Sequence, residues 1–179
     1  MELVHRLDRD TSGCLLIANQ VSVLRSFHEM LRNNQMQKTY VTLLKGQLQD
    51  KEIKVEAGLR KFVTKSGERM VCVDNREGKA ATTFFYPKQG FTDMTLVDVR
   101  LITGRTHQIR VHSQHLRHPI AGDEKYGDPD FNAKIKKLGL KRLFLHARSL
   151  RFEHPQTGEI MNPVAAMDEQ LKKILSKLK

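Results

Sequence analysis

The chain has 179 residues, 39% of them hydrophobic, which is enough for one domain with an apolar core and argues against a disordered chain. It contains no uncharged apolar run of about 18 residues, and its first residues are charged, so we expect neither a transmembrane helix nor a signal peptide. A net charge of +11 favours a polyanion such as nucleic acid as partner, while two cysteines exclude a disulfide framework and predict a reducing, cytoplasmic environment.

The first third of the chain predicts one helix between strands. Residues 13–19 form an apolar run as long as one buried strand. Apolar side chains recur every three to four residues over 20–34, which predicts a helix that ends at the Asn33-Asn34 pair. β-branched and apolar residues over 37–46, and a shorter run over 53–58, predict two further strands.

The middle of the chain predicts a hairpin, two strands and a helix. Residues 64–79 are polar and contain turn-forming glycines, so we expect a hairpin around 70–73. Alternating side chains over 81–86 and 94–102 predict two strands. The pattern over 105–116 predicts a helix that ends before the His-Pro dipeptide.

The last third of the chain predicts a loop, a hairpin and a terminal helix. Gly, Asp and Pro concentrate over 119–131 and predict the loop, and the sequence PQTG joins two strands predicted over 143–154 and 159–164. An amphipathic helix is predicted over 167–178. Because the strands are mostly adjacent in sequence, we expect an α+β fold: one domain with a mixed, largely antiparallel sheet, flanking helices and long loops.

The densest cluster of charged residues is the segment HRLDRDTSG at 5–13. It leads directly into an apolar run, which predicts that Asp8 lies at the rim of the sheet with Arg6 and Arg9 on either side. Neighbouring cations favour the charged form of a carboxylate. The same pattern also fits a solvated turn in which Asp10 and its neighbours bond their own backbone. The residues alone leave both interpretations open.

A second cluster, GRTHQIRVH at 104–112, follows a predicted strand. Thr106 is a candidate cap of the next helix, and Arg105 and His107 beside that helix N-terminus form a candidate phosphate site. Arg110 lies on a different helix face, as either an inward partner for a carboxylate or an exposed arginine.

This region is also rich in histidine, which raises the question of a zinc site: His107, His112, His115 and His118. Their spacing contains no HExxH pattern and no cysteine lies nearby, so we expect no metal.

Several motifs together resemble the RluA family of pseudouridine synthases: HRLDRDTSG, LLIA, KTY, LITGRTHQIRVH, HPIAGDEKYG and LFLHARSLRFEHPQTGE, in this order. The chain most resembles the members that modify bacterial large-subunit (23S) ribosomal RNA. The resemblance implies the pseudouridine synthase fold and an isomerase that flips a uridine out of the RNA and converts it to pseudouridine. It implies no metal and no organic cofactor.

The resemblance also assigns roles to individual residues. It implies that Asp8 is the catalytic aspartate, that Arg110 pairs with it, and that Asp10 is a turn residue. Tyr40, which from the strand pattern alone is an ordinary core tyrosine, is then expected to lie against the target base. Arg6 matches the arginine that enters the space left by the flipped nucleotide. With Arg9, Arg105 and His107 it forms the predicted RNA-binding set.

The chain departs from the family pattern at its start. Relatives have several strands upstream of HRLD, and many carry an S4 RNA-binding module, so we expect residues 1–179 to be a catalytic domain without these parts. We further expect a monomer whose partner is large-subunit ribosomal RNA, with no role for DNA or membranes. The alternatives are a transfer RNA pseudouridine synthase, a non-catalytic RNA-binding module for ribosome assembly, and a hydrolase that pairs Asp8 with Asp123 or Glu124.

Overall fold

The computed structural model describes residues 1–179 and contains eleven strands and four helices. The strands are β1 (Glu2–Leu3), β2 (Ser12–Gly13), β3 (Ile17–Ala18), β4 (Gln37–Lys45), β5 (Ile53–Glu56), β6 (Leu59–Val63), β7 (Arg69–Val73), β8 (Thr82–Phe91), β9 (Met94–Leu101), β10 (Leu145–Glu153) and β11 (Ile160–Met161). The helices are α1 (Val21–Arg32), α2 (Gln108–His115), α3 (Pro129–Leu138) and α4 (Glu169–Leu175).

A seven-stranded sheet forms the centre of the fold. Its main path runs in the order β11-β10-β4-β9-β8-β5 with every neighbour antiparallel, and β2 adds a parallel pair at β10. Two separate two-stranded sheets, β1-β3 and β6-β7, lie outside it. The predicted α+β class, with a largely antiparallel sheet and flanking helices, is confirmed.

The main core follows from side chains that alternate along the central strands. Tyr40, Val99 and Phe85 form one cross-strand row over β4, β9 and β8, and all three are buried. Helix α2 contributes Ile109 to the same core, which also includes side chains of α3, α4, β5 and β10. Burial of each large apolar side chain stabilises the fold by roughly 1.5–3 kcal/mol, so this row fixes the sheet that carries Tyr40.

Helix α1 packs on a second, smaller core. Val23 and Phe27 are four residues apart and bury one face of the helix against Leu150 and Phe152 of β10. The helix ends where predicted, because Asn34 adopts a φ of 55°, a left-handed conformation that asparagine tolerates well.

The hairpin β6-β7 packs on α2 rather than on the central sheet. Its third small core joins Leu59 and Val71 of the hairpin to Val111 of α2 and to Tyr126. The hairpin turn is closed by hydrogen bonds between Thr64 and Glu68. A hairpin was predicted within 64–79. The structure contains one, but its first strand, β6, precedes that region and only β7 lies inside it.

The structure corrects the predictions for residues 13–19 and 119–131. Residues 13–19 do not form one strand, because Gly13 has a φ of 115° and turns the chain, so β2 pairs with β10 while β3 pairs with β1. Residues 119–131 are not entirely loop, because α3 begins at Pro129. The Asp128 side chain caps that helix and Gly139 ends it with a φ of 108°, a start-and-stop signature present in the sequence.

None of the four helices has the length and apolar character that a bilayer crossing requires. The longest, α1, has 12 residues.

The close approach of β2 to β10 requires a glycine at position 13. A Cβ atom there would lie 2.1 Å from the Ala147 carbonyl oxygen, so Gly13→Ala must separate β2 from β10. We expect a loss of roughly 3 kcal/mol in unfolding free energy, measured by urea denaturation. Gly67→Ala is the matched control, because Gly67 has a similar positive φ but no atom within 4 Å of its Cβ position. It should cost only about 1 kcal/mol. Equal losses would show that backbone conformation alone explains the effect.

Candidate active site

Asp8 lies in the loop between β1 and β2, and this loop is anchored from both ends. The Thr11 N–H donates to the Asp8 carbonyl oxygen at 2.9 Å and closes a turn over Arg9 and Asp10. Arg142, which precedes β10, donates to the Asp10 carbonyl oxygen at 3.0 Å and to the Ser12 hydroxyl at 2.9 Å. The Asp8 side chain is 29% exposed, so it is held in place yet open to a ligand.

Arg110 of α2 is a buried cation fixed by Asp123. Its Nε and Nη2 donate to the two carboxylate oxygens of Asp123 at 2.7 and 2.8 Å, a bidentate geometry. Nη1 of Arg110 then faces Asp8 at a distance of 3.9 Å. The expected Asp8–Arg110 pair is therefore present as a long contact. The main partner of Arg110 is Asp123, which the sequence argument had not assigned to it.

Charge balance keeps Arg110 protonated. Burial alone would lower the pKa of Arg110, but the hydrogen bonds and charge of Asp123, together with the charge of Asp8, raise it above its ordinary value. Asp123 has a fully buried side chain and also accepts the N–H groups of Lys125 and Tyr126, both at 2.9 Å. The guanidinium direction is therefore set by a buried acid that is itself held by backbone.

Helix α2 starts three residues later than predicted, and the expected cap is wrong. The helix begins at Gln108, and His107 precedes it in a left-handed conformation with φ 53°. Instead of a Thr106 cap, the Gln108 side chain accepts hydrogen bonds from the Arg105 N–H at 3.0 Å and the Thr103 hydroxyl at 2.8 Å. This arrangement turns the chain so that His107 and Arg110 reach the same side as Asp8.

Tyr40 of β4 lies on the same cleft wall as Asp8. Burial, followed by the nearby charges of Asp8 and Cys14, raises the pKa of Tyr40 to about 12. Its hydroxyl therefore stays protonated at neutral pH. With a residue exposure of 9%, Tyr40 is both a core residue and a cleft residue. The core interpretation is confirmed, and its expected place against the target base stays a prediction.

These residues line a cleft of about 1320 Å³ between the 1–11 segment, β4, α2 and the hairpin β6-β7. Asp8 is the only carboxylate in its lining. Eight lining residues are cationic: Arg6, Arg32, Lys38, Lys61, Arg69, Arg105, Arg110 and Lys125. An opening of this size and charge suits a segment of nucleic acid rather than a small neutral ligand.

The structure brings most of the predicted site residues together. Arg6, Arg105 and His107 line the cleft with the three predicted catalytic residues. Arg9 is exposed and lies outside the lining.

Two residues of the site were missed in the sequence argument, Tyr126 and Arg142, and Asp123 had been named only as the second acid of the alternative hydrolase. Asp123 and Tyr126 both occur in the segment GDEKYG, where an aromatic residue next to acidic residues in a glycine-rich loop was the available signal.

The histidines of the second cluster are distributed rather than gathered. His112 is buried, with hydrogen bonds to the Thr83 hydroxyl at 2.8 Å and the Ala57 carbonyl oxygen at 3.2 Å. His118 bonds the Lys45 carbonyl oxygen at 2.7 Å, and His115 is exposed.

Residues 1–115 match the family described as RNA pseudouridylate synthase. The chain belongs to the RNA pseudouridylate synthase family. The family resemblance drawn from HRLDRDTSG and the later motifs is thereby confirmed. Among solved structures, this pseudouridylate synthase chain is similar to Human RNA Pseudouridylate Synthase Domain Containing 4, with a TM-score of 0.80, 25% identity, and coverage of 99% of this chain and 76% of that one. It is also similar to Human RNA Pseudouridylate Synthase Domain Containing 1, with a TM-score of 0.78 and 26% identity. That match covers 93% of this chain and 69% of that one.

The sequence is also similar to bacterial relatives named "Ribosomal large subunit pseudouridine synthase C". That of Haemophilus influenzae is 52% identical over 179 residues, which is 100% of this chain and 55% of the relative. That of Escherichia coli strain K12 is 52% identical over 181 residues, covering 100% and 56%. The chain therefore spans little more than half the length of these relatives.

The two acids on either side of Arg110 should differ sharply in their effect on stability. Asp123→Asn leaves a buried guanidinium without its anionic partner, and we expect a loss of about 3 kcal/mol in unfolding free energy. Asp8→Asn removes a part-exposed charge at a long contact and should change stability by less than about 1 kcal/mol. Urea denaturation of the two variants measures both values. Similar losses would show that Arg110 depends equally on both acids.

Proposed function

We propose that this chain converts specific uridines of large-subunit ribosomal RNA to pseudouridine, with Asp8 as the catalytic residue. The observation that carries the proposal is the position of Asp8, the single carboxylate of a cationic cleft, opposite an arginine that Asp123 holds in place. The names of the similar bacterial proteins support the choice of RNA.

The reaction requires access to an atom that stacked RNA hides. Pseudouridine forms when the N1–C1′ bond of uridine breaks, the uracil turns, and its C5 joins C1′. The target nucleotide must therefore leave the stack, at a cost of a few kcal/mol. Arg6 is an exposed cation on the cleft wall that adjoins Asp8, a position suited to filling the vacated space.

Asp8 and Arg110 supply the central step. A carboxylate acts at the ribose, either by attack on C1′ or by removal of the C2′ proton to give a glycal, and both routes need an ionised and oriented acid. Arg110 places a positive charge 3.9 Å from the Asp8 carboxylate. Because Asp123 holds Arg110 through two bonds of 2.7 and 2.8 Å, that charge needs no reorganisation during the reaction. The long 3.9 Å contact leaves the Asp8 oxygens free to approach the sugar.

Tyr40 serves as a contact surface for the uracil rather than as an ionised base. Because its pKa is raised to about 12, its hydroxyl keeps its proton at neutral pH. The ring can stack on the base while the base turns, and the hydroxyl can assist proton movement at C5 through hydrogen bonding. Confinement by this wall keeps the detached uracil near the sugar.

The competing functions differ in what they require of these residues. A non-catalytic RNA-binding module gives no reason for a lone carboxylate in a cationic cleft. A two-carboxylate hydrolase needs a second available acid, but Asp123 is 1% exposed and bound by Arg110, and Glu124 is absent from the cleft lining. A transfer RNA substrate uses the same chemistry and is separated by the choice of RNA in the assay. We further propose that the protein acts in the cytoplasm as a monomer and does not use DNA as a partner.

Asp8→Asn should abolish pseudouridine formation and leave RNA affinity within a small factor. The variant keeps the size of the side chain but loses the charge that acts on the ribose. Asp10→Asn is the matched control, because Asp10 lies two residues away, is exposed, and contributes its backbone rather than its side chain to Arg142. That variant should retain activity.

The measurement is incubation with large-subunit ribosomal RNA transcripts and, separately, with transfer RNA transcripts, followed by carbodiimide labelling and primer extension. Mass alone is unsuitable because pseudouridine is an isomer of uridine. Normal turnover by Asp8→Asn would sink the assignment. Product in transfer RNA alone would favour the alternative substrate, and release of free uracil would favour a hydrolase.

RNA affinity should fall steeply with salt, because cleft cations displace counterions from the RNA backbone. Arg69→Gln removes a cation that lines the cleft, and it should reduce the slope of log Kd against log salt concentration by about 1. Arg76→Gln removes an exposed cation next to the same hairpin but outside the cleft lining. This control should leave the slope unchanged. A common slope for both variants and the unmodified chain would mean that RNA does not follow the cleft.

A further inference from the structure

Two hydrogen bonds at the Tyr126 hydroxyl connect His107 to the hairpin β6-β7. The Val71 backbone N–H donates to the Tyr126 hydroxyl oxygen at 3.0 Å, and His107 Nδ1 lies 2.8 Å from the same oxygen. A backbone N–H can only donate. The hydroxyl oxygen accepts the Val71 N–H, and within the protein its own hydrogen has one acceptor in reach, Nδ1 of His107. Donation of that hydrogen to Nδ1 requires the neutral form of His107 that carries its proton on Nε2.

The surroundings of His107 support the neutral form. Burial lowers the pKa of His107, and the positive charges of Arg110 and Lys125 act in the same direction. The charges of Asp8 and Asp123 oppose them but do not reverse the shift. A neutral imidazole does not form an ion pair with Asp8, which leaves Arg110 as the cationic partner of Asp8.

The backbone at His107 is held in an uncommon conformation. Its φ of 53° and ψ of 20° lie in the left-handed region, which costs roughly 1 kcal/mol for a residue with a Cβ. Its ring packs edge-on against Tyr126, with 5.5 Å between the ring centres. The Arg110 guanidinium also lies over the Tyr126 ring, 5.0 Å from the ring centre. Tyr126 thus contacts both cleft residues and, through Val71, the hairpin β6-β7.

We propose that His107 donates its Nε2 hydrogen to a carbonyl oxygen of the target uracil, and that Tyr126 is the positioning residue that fixes this tautomer. The inference rests on the proposed function, because it concerns the uridine in the same cleft. His107 lines that cleft beside Asp8 and Arg110. The phosphates have several cations to bind, whereas a neutral donor matches a neutral carbonyl group.

A donor at this position also assists the chemistry. When the N1–C1′ bond breaks, its electron pair leaves with the base, and the negative charge spreads over the ring and its carbonyl oxygens. A hydrogen bond to a carbonyl oxygen therefore strengthens as the bond breaks, which stabilises the transition state more than the bound substrate. His107 then affects the rate of the chemical step more than the affinity for RNA.

The tautomer is measured directly by long-range ¹H–¹⁵N NMR of the labelled chain, without RNA and without turnover. The His107 signals are assigned by their loss in His107→Gly. We expect the Nε2–H tautomer at neutral pH, and a mixture of the two tautomers in Tyr126→Phe, which keeps the ring but loses the hydroxyl. A protonated imidazole, the Nδ1–H form, or an unchanged tautomer in Tyr126→Phe would overturn the positioning role.

The donor role is measured by single-turnover rates on an RNA that the unmodified chain modifies. His107→Gly removes the side chain at a left-handed residue without adding backbone strain, so the fold should persist. It should lower the rate by at least about tenfold and change Kd by less than about threefold. His107→Gln keeps an N–H donor of similar reach and should recover part of the rate. The rate of Tyr126→Phe should lie between the rates of His107→Gly and His107→Gln.

The outcomes separate this inference from the proposed function. If the unmodified chain forms no pseudouridine in any RNA, the proposed function fails together with the donor role, and the NMR result still reports the Tyr126 effect on its own. If the unmodified chain is active but His107→Gly reacts at the same rate, or His107→Gln is as slow as His107→Gly, the donor role is wrong while the proposed function stands. A loss confined to Kd would assign His107 to RNA binding instead.

Discussion

The bidentate ion pair between Arg110 and Asp123 is the interaction on which the site depends. Both side chains are buried, and a buried charge is tolerated only when it is paired and hydrogen-bonded. Asp123 satisfies Arg110 with two bonds and takes two backbone N–H groups for itself. The result is a cation with a fixed direction in the cleft lining. Its free nitrogen lies 3.9 Å from the Asp8 carboxylate.

The two acids around Arg110 differ in burial and in their distance from the guanidinium. Asp123 is fully buried and makes short bonds, so it stabilises the fold and cannot reach a ligand. Asp8 is 29% exposed and lies 3.9 Å from the guanidinium, so it is oriented without being consumed by a tight ion pair. The Asp8 carboxylate therefore faces Arg110 without a short hydrogen bond to it. In the proposed reaction this freedom lets the Asp8 carboxylate approach the ribose.

Tyr126 connects parts of the molecule that are far apart in sequence. Its backbone N–H holds Asp123, its ring lies under Arg110, and its hydroxyl joins Val71 of the hairpin to His107. The hairpin has no strand pairing with the central sheet, so this hydrogen bond and the small core around Val111 fix it over the cleft. The position of the hairpin is thus tied to His107 and Arg110 through Tyr126.

The sequence by itself determined the local parts of this protein. The alternation of the central strands, the period of α1 and the motif HRLDRDTSG gave the α+β class, Tyr40 on a strand and Asp8 in a loop at the sheet rim, because periodicity and turn residues act over a few neighbouring positions. Tertiary structure decided the partners. Arg110 pairs with Asp123, Gly13 lies against Ala147 of β10, and the His107 ring hydrogen-bonds to Tyr126. These choices depend on which side chains long-range packing buries together, and no local pattern encodes them.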